Sequence, residues 1–372
     1  MTSLRAVTLQ LFNRLRDDSV DIDAEYVVAP SSIDEAAAIL AAAAEAGIPT
    51  AFRGSGTHQG YGTPVSADLV LTTTRLDSIV DWQPDDLTVV VQAGVLIDVL
   101  EASIATRRQT AVLPEVVPGS TVGGAIAIGL SGYRRLRYGP TRDRVLQVRM
   151  ATGYGKVVAG GSPVVKSSTG YGLPRLVTGS LGSLGMIGDV TLKLWSQPMS
   201  VATVEVGEAS AALRDLYRPL AVLETSEGSF TYLGGPEVEI SEQSTRLGAI
   251  ARRGLVWPEP ITEPVQLELR VPAAHVADAV EWIRRLEAVR WVAQHGVGIV
   301  SGGFEDFDAE GFTAARSWAE SVAGAFVVTS GLGGETFDPW GSPPSSVEIQ
   351  RRIKDVFDPA GICNPSILAG NL

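Results

Sequence analysis

The sequence predicts an α+β fold in two domains, the second carrying an antiparallel sheet built from ferredoxin-like elements. Three observations lead there. At 372 residues the chain is longer than one ordinary hydrophobic core sustains. From residue 25 onward, strand-like and helix-like patterns alternate, interrupted by long glycine-rich stretches. Near Met199 the glycines thin out and the alternation starts afresh, which places domain limits at 1–198, 199–330 and a closing segment at 331–372.

The opening MTSLRAVTLQLFNRLRDD sets Leu4, Val7, Leu11 and Leu15 at helical spacing and reads as an amphipathic helix. EYVVAP is a strand. Ser31 or Ser32 can then cap a helix through IDEAAAILAAAAEAG that ends at Gly47. PTAFR is a short strand running into GSGTHQGYG. ADLVLTTT and LTVVVQAG are strands rich in β-branched residues, and VLIDVLEASIATR is a helix. After a second glycine-rich stretch at 118–139, RVLQVRMAT and KVVAG are joined by GYG, a hairpin pattern. A third stretch at 170–188 leads into the strand DVTLKLW. Beyond Met199, VATVEVG, a helix in ASAALRDLYR, LAVLET, SFTYLG and a helix from Pro236 form one set. VQLELRV, a helix in AAHVADAVEWIRRLEAV, RWVAQ, VGIVSG, a helix near 308–323 and AFVVTS form another. Two such sets imply an α+β cap on one antiparallel sheet. The last segment holds Gly331–Gly334, a proline-rich loop, a helix at 345–357 and the tail FDPAGICNP, expected to pack back on the first domain.

Composition narrows the functional classes. The net charge of −12 argues against nucleic acid and anionic membranes as partners, since either favours a basic face. One cysteine, Cys363, excludes a disulfide within the chain and any cysteine-ligated iron–sulfur cluster on it. His58, His275 and His295 are far apart and lack metal-ligand spacing. An electron carrier here is therefore organic, or its metal sits on another chain. No secretory signal is visible, and the longest apolar run, Val122–Leu130, is far below the roughly 20 residues of a spanning helix. These features give the expectation of a cytoplasmic protein without a transmembrane segment.

FRGSGTHQGYG, at 52–62, follows a strand, and its glycines let successive backbone N–H groups surround an anion such as a pyrophosphate. Its spacing misses the Rossmann fingerprint by one residue, and it lacks the Lys-Ser/Thr ending of a phosphate loop. PGSTVGGAIAIGLSGYRRLRYG adds Gly123 and Gly124, which leave room for a flat ligand, the hydroxyls of Ser120, Thr121 and Ser131, and an apolar AIAIGL to back a ring system. VVKSSTGYGLPRLVTGSLGSLGMIGDVTLKLW again combines tight turns with a buried-looking strand. Singly each stretch is explained by turn chemistry. Three in this order in one domain are hard to explain as turns alone.

RGSGT at 53–57, PGSTVGG at 118–124, and SG, RYG and RDRVL between 131 and 146 resemble the vanillyl-alcohol-oxidase family with its two-subdomain PCMH-type FAD-binding domain. VVKSSTGYGLPRLVTGSLGSLGMI and FDPAGICNP are similar to the FAD-binding subunit of bacterial glycolate oxidases. The resemblance covers about residues 25–198 and 345–366. It implies FAD held by Gly54, Ser55, Gly56 and Thr57, with Arg53 ordering the loop and His58 beside it. Gly119, Thr121, Gly123, Gly124, Ser131 and Gly132 would line the flavin and phosphates; Gly185 and Ile187 would face the adenine side; Asn364 would approach the ring. Many relatives carry a flavin-bonding histidine directly after the second glycine of the first loop. Here that position is Thr57, so the expectation is non-covalent FAD.

The implied reaction is oxidation of a small 2-hydroxy acid such as glycolate or D-lactate, with electrons passed to a partner or acceptor. The implied partners are a second flavin subunit and an iron–sulfur subunit, through which the chain could sit at the periphery of a membrane. A self-sufficient FAD-dependent oxidase using oxygen, and a non-catalytic flavin-binding or electron-transfer subunit, stay open beside it. Hydroxy-acid oxidation needs a cation for the carboxylate, preferably arginine. YRRLRYGPTRDR offers Arg134, Arg135, Arg137 and Arg142, of which Arg135 is taken together with Tyr138. Lys166, Tyr171, His295 and Asn364 complete the candidates, and the paired-histidine metal motif of related catalytic subunits is not evident.

Overall fold

The computed structural model describes residues 24–115, 118–162, 172–332, 337–370 and 372. The expected N-terminal helix, Lys166 and Tyr171 lie outside them.

The first layer is a parallel three-stranded sheet of β1 (Tyr26–Val28), β2 (Thr50–Arg53) and β3 (Leu69–Thr72), in the order β1-β3-β2. Between β1 and β2 runs α1 (Ile33–Ala46). Ser32 caps it by accepting from the Glu35 N–H at 3.1 Å, and Gly47 closes it in the left-handed region at φ 63°. Its alanine-rich face buries Ile33, Ile39 and Leu40 against Leu69, Leu71 and Met186.

An antiparallel five-stranded sheet follows, of β4 (Ile79–Gln83), β5 (Thr88–Gln92), β7 (Val145–Thr152), β8 (Val157–Gly161) and β9 (Gly185–Lys193), in the order β4-β5-β9-β7-β8. Between β5 and β7 lie α2 (Ile97–Ala105), the short β6 (Gln109–Thr110), α3 (Val122–Ile128) and α4 (Arg135–Tyr138). β7 and β8 form the expected hairpin around Gly155. The core between them joins Val91, Leu100, Ile126, Val148 and Val190. Several short elements were not anticipated, and two of them show why. β4 has only half-buried and exposed residues, so no apolar alternation marks it. The helix α3 is hidden in the sequence by Gly123 and Gly124, yet Thr121 caps it through the Gly124 N–H at 3.1 Å.

Past α5 (Leu173–Val177) and β10 (Trp195–Ser196), the chain builds one eight-stranded antiparallel sheet. Its first half is β11 (Ser200–Val206), α6 (Ala209–Asp215), β12 (Ala221–Thr225), β13 (Gly228–Gly235), α7 (Glu237–Arg246) and β14 (Ala251–Arg253). The second is β15 (Val265–Arg270), α8 (Val276–Arg285), β16 (Arg290–Gln294), β17 (Ile299–Phe304), α9 (Ala309–Ser321) and β18 (Ala325–Ser330). Each half is a βαββαβ ferredoxin-like unit. They join edge to edge where β12 pairs with β16, giving β14-β11-β13-β12-β16-β17-β15-β18. α8 and α9 cover the face bearing Leu267, Leu269 and Val300. The opposite face carries Glu268 and Arg270 and meets the glycine-rich loops, as Val327 does in packing on Tyr61 and Leu181.

The chain then returns to the first layer through α10 (Val347–Phe357). Thr50 N–H donates to Ile362 O at 2.8 Å, and Asn364 N–H donates to Thr50 O at 2.8 Å, extending the parallel sheet at β2. Lys354 Nζ, almost buried, donates to Ser183 O at 2.9 Å, Cys363 O at 3.0 Å and the Asp358 carboxylate at 3.0 Å.

Candidate active site

Two adjoining cavities lie among the glycine-rich loops, and the smaller reaches the eight-stranded sheet at Arg270. The larger encloses about 560 Å³, within the roughly 300–1,000 Å³ usual for small-molecule sites. All of Arg53–His58 line it, together with Thr121, Gly124, Leu181, Gly182 and Asn364.

The lining residues have specific local reasons to be what they are. A Cβ on Gly54 would strike the Thr121 hydroxyl, the same oxygen that caps α3, so only glycine lets the first loop approach the second. Gly56 sits at φ 83°, and a Cβ there would stand 2.7 Å from the Arg53 guanidinium folded beneath it. Thr57 Oγ1 lies 2.8 Å from His58 Nδ1 and 3.1 Å from Ser120 Oγ. His58 Nε2 is buried without a partner among the described residues. Burial lowers the His58 pKa, while the Glu268 carboxylate pulls in the opposite direction. Asn364, held at φ 38°, accepts from Phe52 N–H at 3.1 Å and donates to Leu181 O at 2.6 Å, bridging two walls of the cavity.

The smaller cavity, about 240 Å³, shares Tyr61, Ile128 and Leu181 with the first. Three arginines reach it: Arg135 and Arg142 from the second glycine-rich segment, and Arg270 from β15. Arg270 donates to the Tyr61 hydroxyl and, at 2.7 Å, to the Glu268 carboxylate. Burial disfavours its charge, but Glu268 and Tyr61 outweigh that and raise its pKa. Burial and the neighbouring Glu268 push the Tyr61 hydroxyl up to about 12, so it stays protonated at neutral pH. The Arg135 guanidinium makes no hydrogen bond or ion pair among the described residues, and burial followed by Arg142 and Arg270 lowers its pKa.

Residues 24–161 match the family described as FAD binding domain. The chain is 30% identical over 231 residues to glycolate oxidase subunit GlcD of Bacillus subtilis, covering 60% of this chain and 48% of that protein. It thus spans about half of that relative's length. It is 26% identical to glycolate oxidase subunit GlcE of Escherichia coli, covering 87% of this chain and 93% of that one. A D-lactate dehydrogenase of Archaeoglobus fulgidus is also 26% identical, covering 91% and 90%. A solved alkyldihydroxyacetonephosphate synthase matches at TM-score 0.64 and 15% identity over 96% of this chain and 79% of its own. That likeness shows a shared fold, α+β with an antiparallel cap sheet as expected.

The larger cavity fits the cofactor of an FAD binding domain. It offers a cradle that side chains at Gly54 and Gly56 would fill, and an orphaned buried imidazole nitrogen at His58. Among the described residues no group of His, Cys, Asp and Glu could hold a metal ion. No described helix is long and apolar enough to cross a membrane.

The other sequence candidates are placed elsewhere. Gly123 packs on the chain after β5, where a Cβ would stand 2.6 Å from the Ala93 Cβ. Gly119, at φ 77°, lines neither cavity. Gly132 leaves room for Glu115, which pairs with Arg134, while Ser131 lines the smaller cavity. Gly185 serves the β7–β9 contact at Ala151, and Ile187 is in the core. Tyr138 packs edge-on against Trp195 at 5.3 Å and lines neither cavity. His295 lies 3.0 Å from Glu224, which also pairs with Arg284 of α8, and so belongs to the helix-covered side of the sheet. Sequence reasoning missed Tyr61 and Arg270; the signal available was the polar alternation Gln266, Glu268, Arg270 in VQLELRV.

The depressed His58 pKa gives a pH prediction. The unfolded imidazole, near 6.5, binds a proton better than the folded one, so this contribution is full above 6.5 and lost as pH falls towards the folded value. The thermal midpoint of the flavin-free chain should drop as pH is lowered from about 7.5 to 5.5, and His58→Asn should flatten that profile. Identical profiles in both proteins would assign the transition to another group.

Proposed function

We propose that the chain is an FAD-dependent oxidoreductase, working as a subunit, that oxidises a small 2-hydroxy acid and passes the electrons to a partner or acceptor. The observation that carries this is the unpaired Arg135 beside Arg270 in a cavity that adjoins the proposed FAD cradle. In this reading Arg53–Thr57 hold the pyrophosphate through backbone N–H groups, and Thr121 and Gly124 form the facing wall. Thr57 stands where relatives attach the flavin, which favours non-covalent FAD.

Bound FAD supplies the two-electron acceptor, which no side chain of the protein can. The protein's task is orientation. Arg135 and Arg270 hold the carboxylate, with Glu268 fixing the Arg270 fork by hydrogen bonds at 2.9 and 2.7 Å. Tyr61, protonated and anchored on Arg270, offers its hydroxyl at the boundary of both cavities. Leu181, Ile128 and Trp340 give the smaller cavity its apolar wall. The subunit names of the two glycolate oxidase relatives support a multi-subunit assembly, in which a partner would accept the electrons.

The test is the visible spectrum of the purified chain, followed by glycolate and D-lactate without oxygen. A flavin spectrum that bleaches supports the reading; a flavin spectrum that resists every 2-hydroxy acid, with or without partner subunits, removes the substrate assignment. Arg135→Ala should lower kcat/KM by about 10- to 100-fold, the worth of one charged hydrogen-bonding contact of about 1.5–3 kcal/mol, at unchanged flavin content. An unchanged kcat/KM would remove Arg135 from the carboxylate site.

A further inference from the structure

Resting on that reading, we infer that the smaller cavity selects 2-hydroxy acids bearing a second anionic group, with Arg142 as the residue that recognises it. Charge matching is the reason. Of the three guanidinium groups at this cavity, Arg270 is neutralised by Glu268 at 2.7 Å. The guanidinium groups of Arg135 and Arg142 have no hydrogen bond or ion pair among the described residues, and the nearby Asp143 is engaged by Arg175 at 2.8 Å. A monocarboxylate answers one of these two cations. The other faces a space of about 240 Å³ that a two-carbon acid leaves largely empty.

The position of Arg142 supports a specificity role. It is an exposed residue of the one-turn helix 141–143, whereas Arg135 is half-buried. A carboxylate bound deep at Arg135 therefore points the far end of a longer substrate towards Arg142. Ser131 and Thr178 also line this wall, but their hydroxyls already donate to Gly129 O at 3.4 Å and Pro174 O at 2.7 Å, which leaves recognition of a carboxylate or a phosphate to Arg142. The shared chemistry is thus a dianionic 2-hydroxy acid, whose second group is one of those two.

The test uses the FAD-loaded full chain and isothermal titration under anaerobic conditions. The probes are glycolate and D-lactate as monoanions, 2-hydroxyglutarate as the dicarboxylate and 3-phosphoglycerate as the phosphorylated acid. At least one dianion should bind about tenfold more tightly than either monoanion, and which one identifies the second group. Arg142→Ala should bring that ratio close to one, and Arg142→Lys should retain most of it, since an exposed cation acts here mainly through its charge. Equal affinities for all four acids, or a ratio untouched by Arg142→Ala, would overturn the inference. If no acid binds, or if Arg135→Ala alters none of the affinities, the underlying hydroxy-acid reading falls as well; monoanion binding that depends on Arg135 without a dianion preference removes the inference alone.

Discussion

Gly54→Ala is expected to yield a folded chain that purifies nearly without flavin. The added methyl group would occupy the space of the Thr121 hydroxyl, and the two cannot coexist without movement. If Thr121 rotates away, α3 loses its cap from the Gly124 N–H, worth about 1 kcal/mol. If the first loop retreats instead, it withdraws the N–H groups that surround the proposed pyrophosphate. Overpacking at such a contact costs about 1–3 kcal/mol more. Together these weaken FAD by roughly 2–4 kcal/mol, about 30- to 1,000-fold in Kd. Flavin-to-protein absorbance ratio and titration with added FAD measure this directly. Gly119→Ala makes a useful contrast, since its φ of 77° brings backbone strain but no atom lies within 4 Å of the new methyl group and the residue lines neither cavity. Full flavin content in Gly54→Ala would show that the cofactor does not depend on this contact.

The contrast between those glycines marks how far the sequence can be read. Strands and helices with their own signals were legible: Ser32 and Gly47 bracket α1 because capping is local, and the β7–β8 hairpin follows from GYG between β-branched runs. The two ferredoxin-like units were legible for the same reason. The loop Arg53–His58 could be located because a strand ends there, and all six residues line the larger cavity. The glycines, however, look alike in sequence. Gly54 faces a hydroxyl across the cradle, Gly123 faces the Ala93 backbone, and Gly132 faces Glu115; only three-dimensional neighbours separate those reasons. The same holds for Arg270 and Tyr61, which are 209 residues apart and meet only because the cap sheet lies over the first loop. His295 shows the opposite case. It was a candidate because related catalytic subunits carry paired histidine motifs, but strand pairing puts it next to Glu224 and the covering helices.

Asp358→Ala should produce the largest loss of stability. The Asp358 carboxylate is almost fully buried and accepts from Ile362 N–H at 3.1 Å, Cys363 N–H at 2.8 Å and Lys354 Nζ at 3.0 Å. Removing it strands a nearly buried ammonium and two backbone donors at once. Breaking one partner of a buried pair costs about 3–5 kcal/mol, and the unsatisfied donors act in the same direction. The consequence reaches the cavity, because the released segment carries Asn364, which ties Phe52 N–H to Leu181 O across it. Lower thermal and urea midpoints should therefore be accompanied by flavin loss. Asn364→Ala separates the two effects: it removes the bridge but leaves the Lys354–Asp358 pair, so flavin affinity should fall more than stability does. If Asp358→Ala melts with the wild type and keeps its flavin, the returning segment does not hold the cavity together, and the cradle must draw its rigidity from the three-stranded sheet alone.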